Sequence, residues 1–83
     1  MATPTTLAQA PTGVWARIAE NGSVLPRLQA LGFLPLERVC VLRRSRWRHG
    51  ALVVQVGDAV FALRPHEAQA IPLRADPVGE SAS

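Results

Sequence analysis

The sequence predicts a mainly β domain: a small barrel of about five short antiparallel strands, with one short α-helix between the first two. Three features carry that expectation. With 83 residues the chain holds one small domain at most, which excludes a catalytic domain beside a separate binding domain. Its apolar residues fall mostly in short alternating or β-branched runs, and turn residues punctuate them at Asn21-Gly22, Pro35, Gly50 and Gly57-Asp58. An antiparallel chain of that size closes best into a barrel, which also removes most exposed strand edges.

Gly13 to Ala19 alternates, with Val14, Ala16 and Ile18 on one face and Trp15 and Arg17 on the other, as a half-buried strand does. Asn21-Gly22 ends it. Ser23 follows as a candidate N-cap, and Leu25, Leu28 and Leu31 then fall at helical spacing. Pro26 stands early in this helix of about two turns, where a missing N–H costs little, and Gly32 suits the position just past its end. Phe33 to Glu37 turns around Pro35. Arg38 to Arg43 reads as the second strand, with Val39 and Val41 on one face and Cys40 and Leu42 on the other. Arg44 to Gly50 is a polar loop. Ala51 to Val56 and Ala59 to Leu63 are β runs joined by Gly57-Asp58, a glycine-first pair that suits a type II′ hairpin. Pro65 to Ala70 supplies one helical turn, and Ile71 to Leu73 returns as the last strand. Residues 1–11 and 75–83, small or polar and carrying proline, read as flexible tails around a folded block at 12–74.

Composition narrows the class. An apolar fraction of 48% is too high for a disordered charged tail. No apolar run approaches the roughly 18 residues of a membrane-spanning helix. Met1 to Pro11 lacks the basic and apolar parts of a secretory signal, so a cytoplasmic address is expected. Cys40 is the single cysteine and cannot close an intramolecular disulfide, so stability has to come from packing.

All nine basic residues are arginine, and against six acids they give a net charge of +3. Five of them lie between 38 and 57, where there is no acid; the rest of the chain is net negative. The run Arg43-Arg44-Ser45-Arg46-Trp47-Arg48 interleaves guanidinium groups with an indole. That composition admits a solvated loop, a contact with a protein or an anionic membrane surface, or phosphate contact plus base stacking on RNA. Nucleic acid is the least favoured, because the surrounding chain does not extend the positive field. Phe33 and Leu34 form a second, apolar candidate, since not all of Leu28, Leu31, Phe33 and Leu34 can point into so small a barrel. The candidate partner-binding residues are therefore Phe33, Leu34, Arg43, Arg44, Arg46, Trp47 and Arg48.

Catalytic equipment is thin. Cys40 sits between Val39 and Val41, where a buried inert thiol is expected. His49 and His66 have no second ligand at chelating spacing, and no Gly-rich phosphate loop is present. Neither enzymatic activity, a cofactor nor a metal site is expected, although a metal-responsive oligomer using Cys40, His49 and His66 across a dimer remains an alternative.

The segment Arg27-Leu28-Gln29-Ala30-Leu31-Gly32-Phe33-Leu34-Pro35 resembles the R-L-x-x-L-G-x-x-P-G motif of FeoA-like proteins, small accessory proteins of bacterial ferrous iron transport. Val60-Phe61-Ala62-Leu63-Arg64 with Glu67-Ala68 and Ile71 is similar to the family's A-L-R strand and the E-A-x-x-I that follows it. Val53-Val54-Gln55-Val56-Gly57 fits its third strand and hairpin. The resemblance implies an SH3-like barrel and a cytosolic partner, the GTPase-bearing ferrous iron permease FeoB. The chain departs from the motif at Pro35-Leu36, where the family has Pro-Gly. Leucine is penalised at positive φ, so a type I turn is expected there.

Overall fold

The computed structural model describes residues 6–20, 24–45 and 50–74. Among them four strands, β1 (Trp15–Arg17), β2 (Arg38–Arg44), β3 (Leu52–Val56) and β4 (Ala59–Leu63), form one antiparallel sheet in sequence order. Two five-residue helices flank it, α1 (Pro26–Ala30) and α2 (Pro65–Gln69), each with proline in its first turn. The fifth strand expected at Ile71 to Leu73 is replaced by two single bridges, Ile18 to Leu73 and Thr6 to Pro72. Pro72 has no N–H to give a continuous ladder, yet its carbonyl accepts from Ala19 at 2.9 Å, and Arg74 N–H donates to Arg17 at 2.9 Å. These bonds cover the outer edge of β1.

Local chemistry sets the ends of α1. Gly32 lies at φ +111°, where its own N–H donates to the Gln29 carbonyl and Phe33 N–H reaches back to Leu28. That pair of bonds is a Schellman cap, and it brings Phe33 over Leu28, both fully buried. The N-cap position is Leu25 with no side-chain bond; Ser23, expected there, lies outside the described residues, as do Asn21 and Gly22. Gly57 at φ +57°, followed by Asp58 at negative φ, fits the expected type II′ hairpin between β3 and β4.

The core is one apolar cluster, with no buried polar residue among the described residues. Val39 and Val41 from β2, Leu52, Val54 and Val56 from β3 and Leu63 from β4 face it at alternate positions. β1 is shorter than expected, and Val14, placed on the core face by alternation, is 46% exposed because it lies outside the β1 ladder. The N-terminal segment departs further from expectation. Leu7, in a 3-10 turn at Leu7–Gln9, is fully buried and Ala10 nearly so; Leu7 N–H donates to Ile71 at 2.9 Å and the turn packs on α2. Residues 6–10 are therefore part of the folded unit, held by apolar contacts that are long-range in sequence.

Regular alternation fails once, in β2. Val41 faces Val54, but Arg43 faces Val53, leaving Leu42 as an extra residue without a partner, a β-bulge. Beyond it the parity reverses: Arg44 falls opposite Leu52, on the core side, and donates to the Ala10 carbonyl.

Leu36 corrects another expectation. It adopts φ +68°, and Glu37 N–H closes the turn onto the Leu34 carbonyl at 3.0 Å, which fits a type II turn rather than type I. The cost, roughly 1–2 kcal/mol for a β-carbon in this region, is met because both polar groups of Leu36 are held: its N–H donates to Ile18 at 2.9 Å and its carbonyl accepts from Arg17 Nη1 at 3.2 Å.

Two stability predictions follow from these positions. Leu36→Gly relieves the strain at the cost of a more flexible unfolded chain, so its urea midpoint should rise by the equivalent of up to about 1 kcal/mol; a lower midpoint would show that the turn is not strained. Leu7→Ala should cost about 2–5 kcal/mol by urea unfolding, whereas a dispensable tail residue would change stability by no more than about 0.5 kcal/mol.

Candidate functional site

One turn of helix is too short to bury all its leucines. α1 sends Leu28 inward and leaves Leu31 40% exposed, while Leu25, Leu34 and Leu36 around it are exposed to a similar degree. Leu31 forms one wall of an open groove of about 340 Å³ that runs between α1 and β4. Leu28, Phe61, Ala62 and Leu63 supply the rest of its apolar lining. Phe61 rests on Phe33, with ring centroids 5.9 Å apart and planes tilted by 51°, so the buried ring supports the groove from beneath.

An ion pair closes one end. Arg27 Nη2 meets Glu67 Oε2, and Glu67 Oε1 accepts the Arg64 N–H at 2.9 Å, satisfying an otherwise unpaired donor at the start of α2. The Arg64 backbone N–H holds the Glu67 carboxyl below its ordinary value of 4.5, burial opposes this, and the positive charges of Arg27, His66 and Arg64 assist. The carboxylate is tucked in, 13% exposed, while the guanidinium is 66% exposed and keeps its outer face to solvent.

The residues expected to bind a partner do not form one patch. Phe33, expected as a docking side chain, is fully buried; the Schellman cap directs it into the core. Leu34 is 45% exposed, in the turn near the β3–β4 hairpin, where Gly57 lies beside Glu37. Arg43 and Arg44 are exposed but stand at the opposite end of β2. Arg46, Trp47 and Arg48 lie outside the described residues, as does His49. Residues 27–31 and 61–67 meet only in the fold, so no contiguous stretch of sequence marks the groove. Its one sequence signal is that Arg27 and Glu67 belong to the two separate motif segments.

Elsewhere the chemistry is quiet. Cys40 is buried beside its cross-strand partner Trp15, and burial pushes its thiol up, with a smaller opposing effect from the Gly13 backbone N–H. Arg38 lies over the Trp15 ring, 5.0 Å from its centroid. Among the described residues no group of three or more His, Cys, Asp or Glu side chains could hold a metal ion, and no helix is long and apolar enough to cross a membrane.

A family model described as FeoA domain matches residues 5–75. Among solved structures, the chain is similar to Stenotrophomonas maltophilia FeoA in complex with zinc, at 29% identity and a TM-score of 0.71, over 87% of this chain and 92% of that one. That protein is described as a prokaryotic SH3 domain protein and a candidate ferrous iron transport activating factor. The iron(II) transport protein A of Clostridium thermocellum shares the fold at a TM-score of 0.70 and 24% identity, over 89% of this chain and 46% of that one. No curated protein sequence matches the chain.

The ion pair yields a pH prediction. Glu67 has a lower carboxyl pKa folded than unfolded, so its contribution is complete above about 4.5 and is lost as the pH falls through the folded value. Glu67→Gln should therefore melt below the parent at pH 7, with the gap narrowing below about pH 4. A gap of constant size down to pH 2 would show that the carboxylate charge contributes nothing.

Proposed function

The chain belongs to the FeoA family, and on that footing we propose that it is a non-enzymatic, cytoplasmic accessory protein of bacterial ferrous iron uptake. Its partner in this reading is the GTPase-containing cytosolic region of a FeoB-type permease, which it stabilises or regulates by docking. The observation that carries the reading is the family match across residues 5–75, nearly the whole chain. The similarity to the S. maltophilia protein, which is associated with ferrous iron transport, supports it.

The surface suits docking better than catalysis. The described residues bring together no nucleophile with a base and no cluster of metal ligands. They do expose Leu25, Leu31, Leu34 and Leu36 around α1, an apolar group that a partner surface can cover. A docked module shifts its partner's conformational equilibrium only by binding one state more tightly than another, so any regulation has to come from contacts that differ between permease states. Arg43, exposed at the far end of β2, is proposed to contact the anionic membrane surface beside the permease, and Arg46, Trp47 and Arg48, which lie outside the described residues, are kept as candidates for that contact from the sequence alone. Two arginines are committed internally instead: Arg44 to the Ala10 carbonyl and Arg38 to the Trp15 ring. Those internal contacts count against RNA as the main partner.

Calorimetric titration against the purified cytosolic region of the permease tests this reading. Saturable binding is expected at low salt, weakened about tenfold or more by Leu34→Asp with the melting temperature preserved. Absence of saturable binding at low salt would overturn the proposal.

A further inference from the structure

β4 is an edge strand without the usual protection. Among the described residues it pairs only with β3, and its ladder runs unbroken from Val56 opposite Ala59 to Leu52 opposite Leu63. Exposed edges are normally blunted by a bulge, a proline, an outward charge or a covering segment, because their free N–H and C=O groups template a further strand. β4 has no proline, charge or bulge from Ala59 to Leu63. The opposite edge, β1, is covered by the bonds from Arg74 and Ala19.

The hairpin determines which groups are free. A two-residue turn makes its flanking pair, Val56 and Ala59, a hydrogen-bonded pair. Val54 with Phe61 and Leu52 with Leu63 then follow as bonded pairs, and Val60 and Ala62 turn their N–H and C=O groups away from β3. Both residues are exposed, Val60 at 53%, and no other backbone group among the described residues bonds to either. The apolar groove lies along this edge.

We infer that the free edge of β4 takes an extended segment of the partner protein as an added strand, with apolar side chains of that segment seated against Leu31 and Phe61. This inference rests on the docking reading above for the identity of the partner. The free groups at Val60 and Ala62 demand an extended backbone, and the groove demands apolar side chains, a combination that serves strand addition. At 340 Å³ the open groove is at the small end of small-molecule pockets, about 300–1,000 Å³, and suits side chains of a strand better than an enclosed ligand. Charge sets the polarity. The C-terminal end of β4 carries the exposed Arg64 and the Arg27–Glu67 pair, which leaves one net positive charge there, whereas Asp58 stands at its N-terminal end. The segment that fits carries an acidic residue at the first end and a basic one at the second.

The test uses the full chain, Val60→Pro and Ala62→Glu. Proline at 60 removes an outward N–H and leaves the bonds to β3 in place; Ala62→Glu puts a carboxylate on the groove wall. Each variant is first checked for a melting temperature close to the parent's, and whichever keeps it carries the comparison. Against the permease's cytosolic region, binding should weaken tenfold or more, and in the parent complex amide exchange at Val60 and Ala62 should slow at least tenfold. Equal binding by parent and variant overturns the inference while leaving the docking reading standing. If the permease region does not bind at all, the docking reading fails and a random 12-residue peptide library selected on the parent decides the edge. Enriched alternating apolar peptides that protect Val60 and Ala62 support the inference; no enrichment, or peptides that bind Val60→Pro equally, overturns it. A parent chain that sediments as a dimer, with Val60→Pro a monomer, assigns the edge to a second copy and also overturns it.

Discussion

Burial of Phe33 is the constraint on which the rest of this small domain depends. Its N–H is tied to the Leu28 carbonyl, its ring meets Phe61, and neither contact forms unless Gly32 takes a conformation that other residues resist. The single contact joins α1 to β4 and so determines where the barrel end closes. It also explains why the groove is solid underneath. With a single cysteine and no buried polar residue among the described residues, such packing is what defines one structure.

The parts of the fold legible in the sequence are those decided within a few residues. Gly57-Asp58 specifies its hairpin, Gly32 the end of α1, and Pro26 and Pro65 the helix starts, because each acts through its own φ or its own missing N–H. What could not be read depends on distant partners. Leu7 reads as part of a tail because its burial comes from Ile71 and α2, roughly sixty positions away. Leu36 shows its local penalty in the sequence, while the bond its N–H donates to Ile18 and the one its carbonyl accepts from Arg17 arise only in the fold. The candidate site divides in the same way. Exposed Leu34 follows from composition, but the groove needs α1 laid against β4, and Phe33 faces inward for a backbone reason that its hydrophobicity does not reveal.

Exposed apolar and charged side chains occur together at both ends of the sheet. Leu25, Leu31, Leu34 and Leu36 are exposed around α1, which also carries the exposed Arg27, and Leu42 is exposed beside Arg43 at the far end of β2. Neither end of the described surface is purely apolar or purely charged.

The bulge at Leu42 has a meaning beyond local geometry. Because one residue is uncounted in the ladder, the two halves of β2 obey opposite parity: odd positions point inward before it and even positions after it. A strict two-residue repeat would turn Arg43 to the core side and Arg44 away from it, whereas the ladder sets Arg44 on the Leu52 side and leaves both arginines exposed. The extra residue thus acts as a phase shift. It turns Arg44 back toward the Ala10 carbonyl of the N-terminal segment while Val39 and Val41 stay in register with Val56 and Val54.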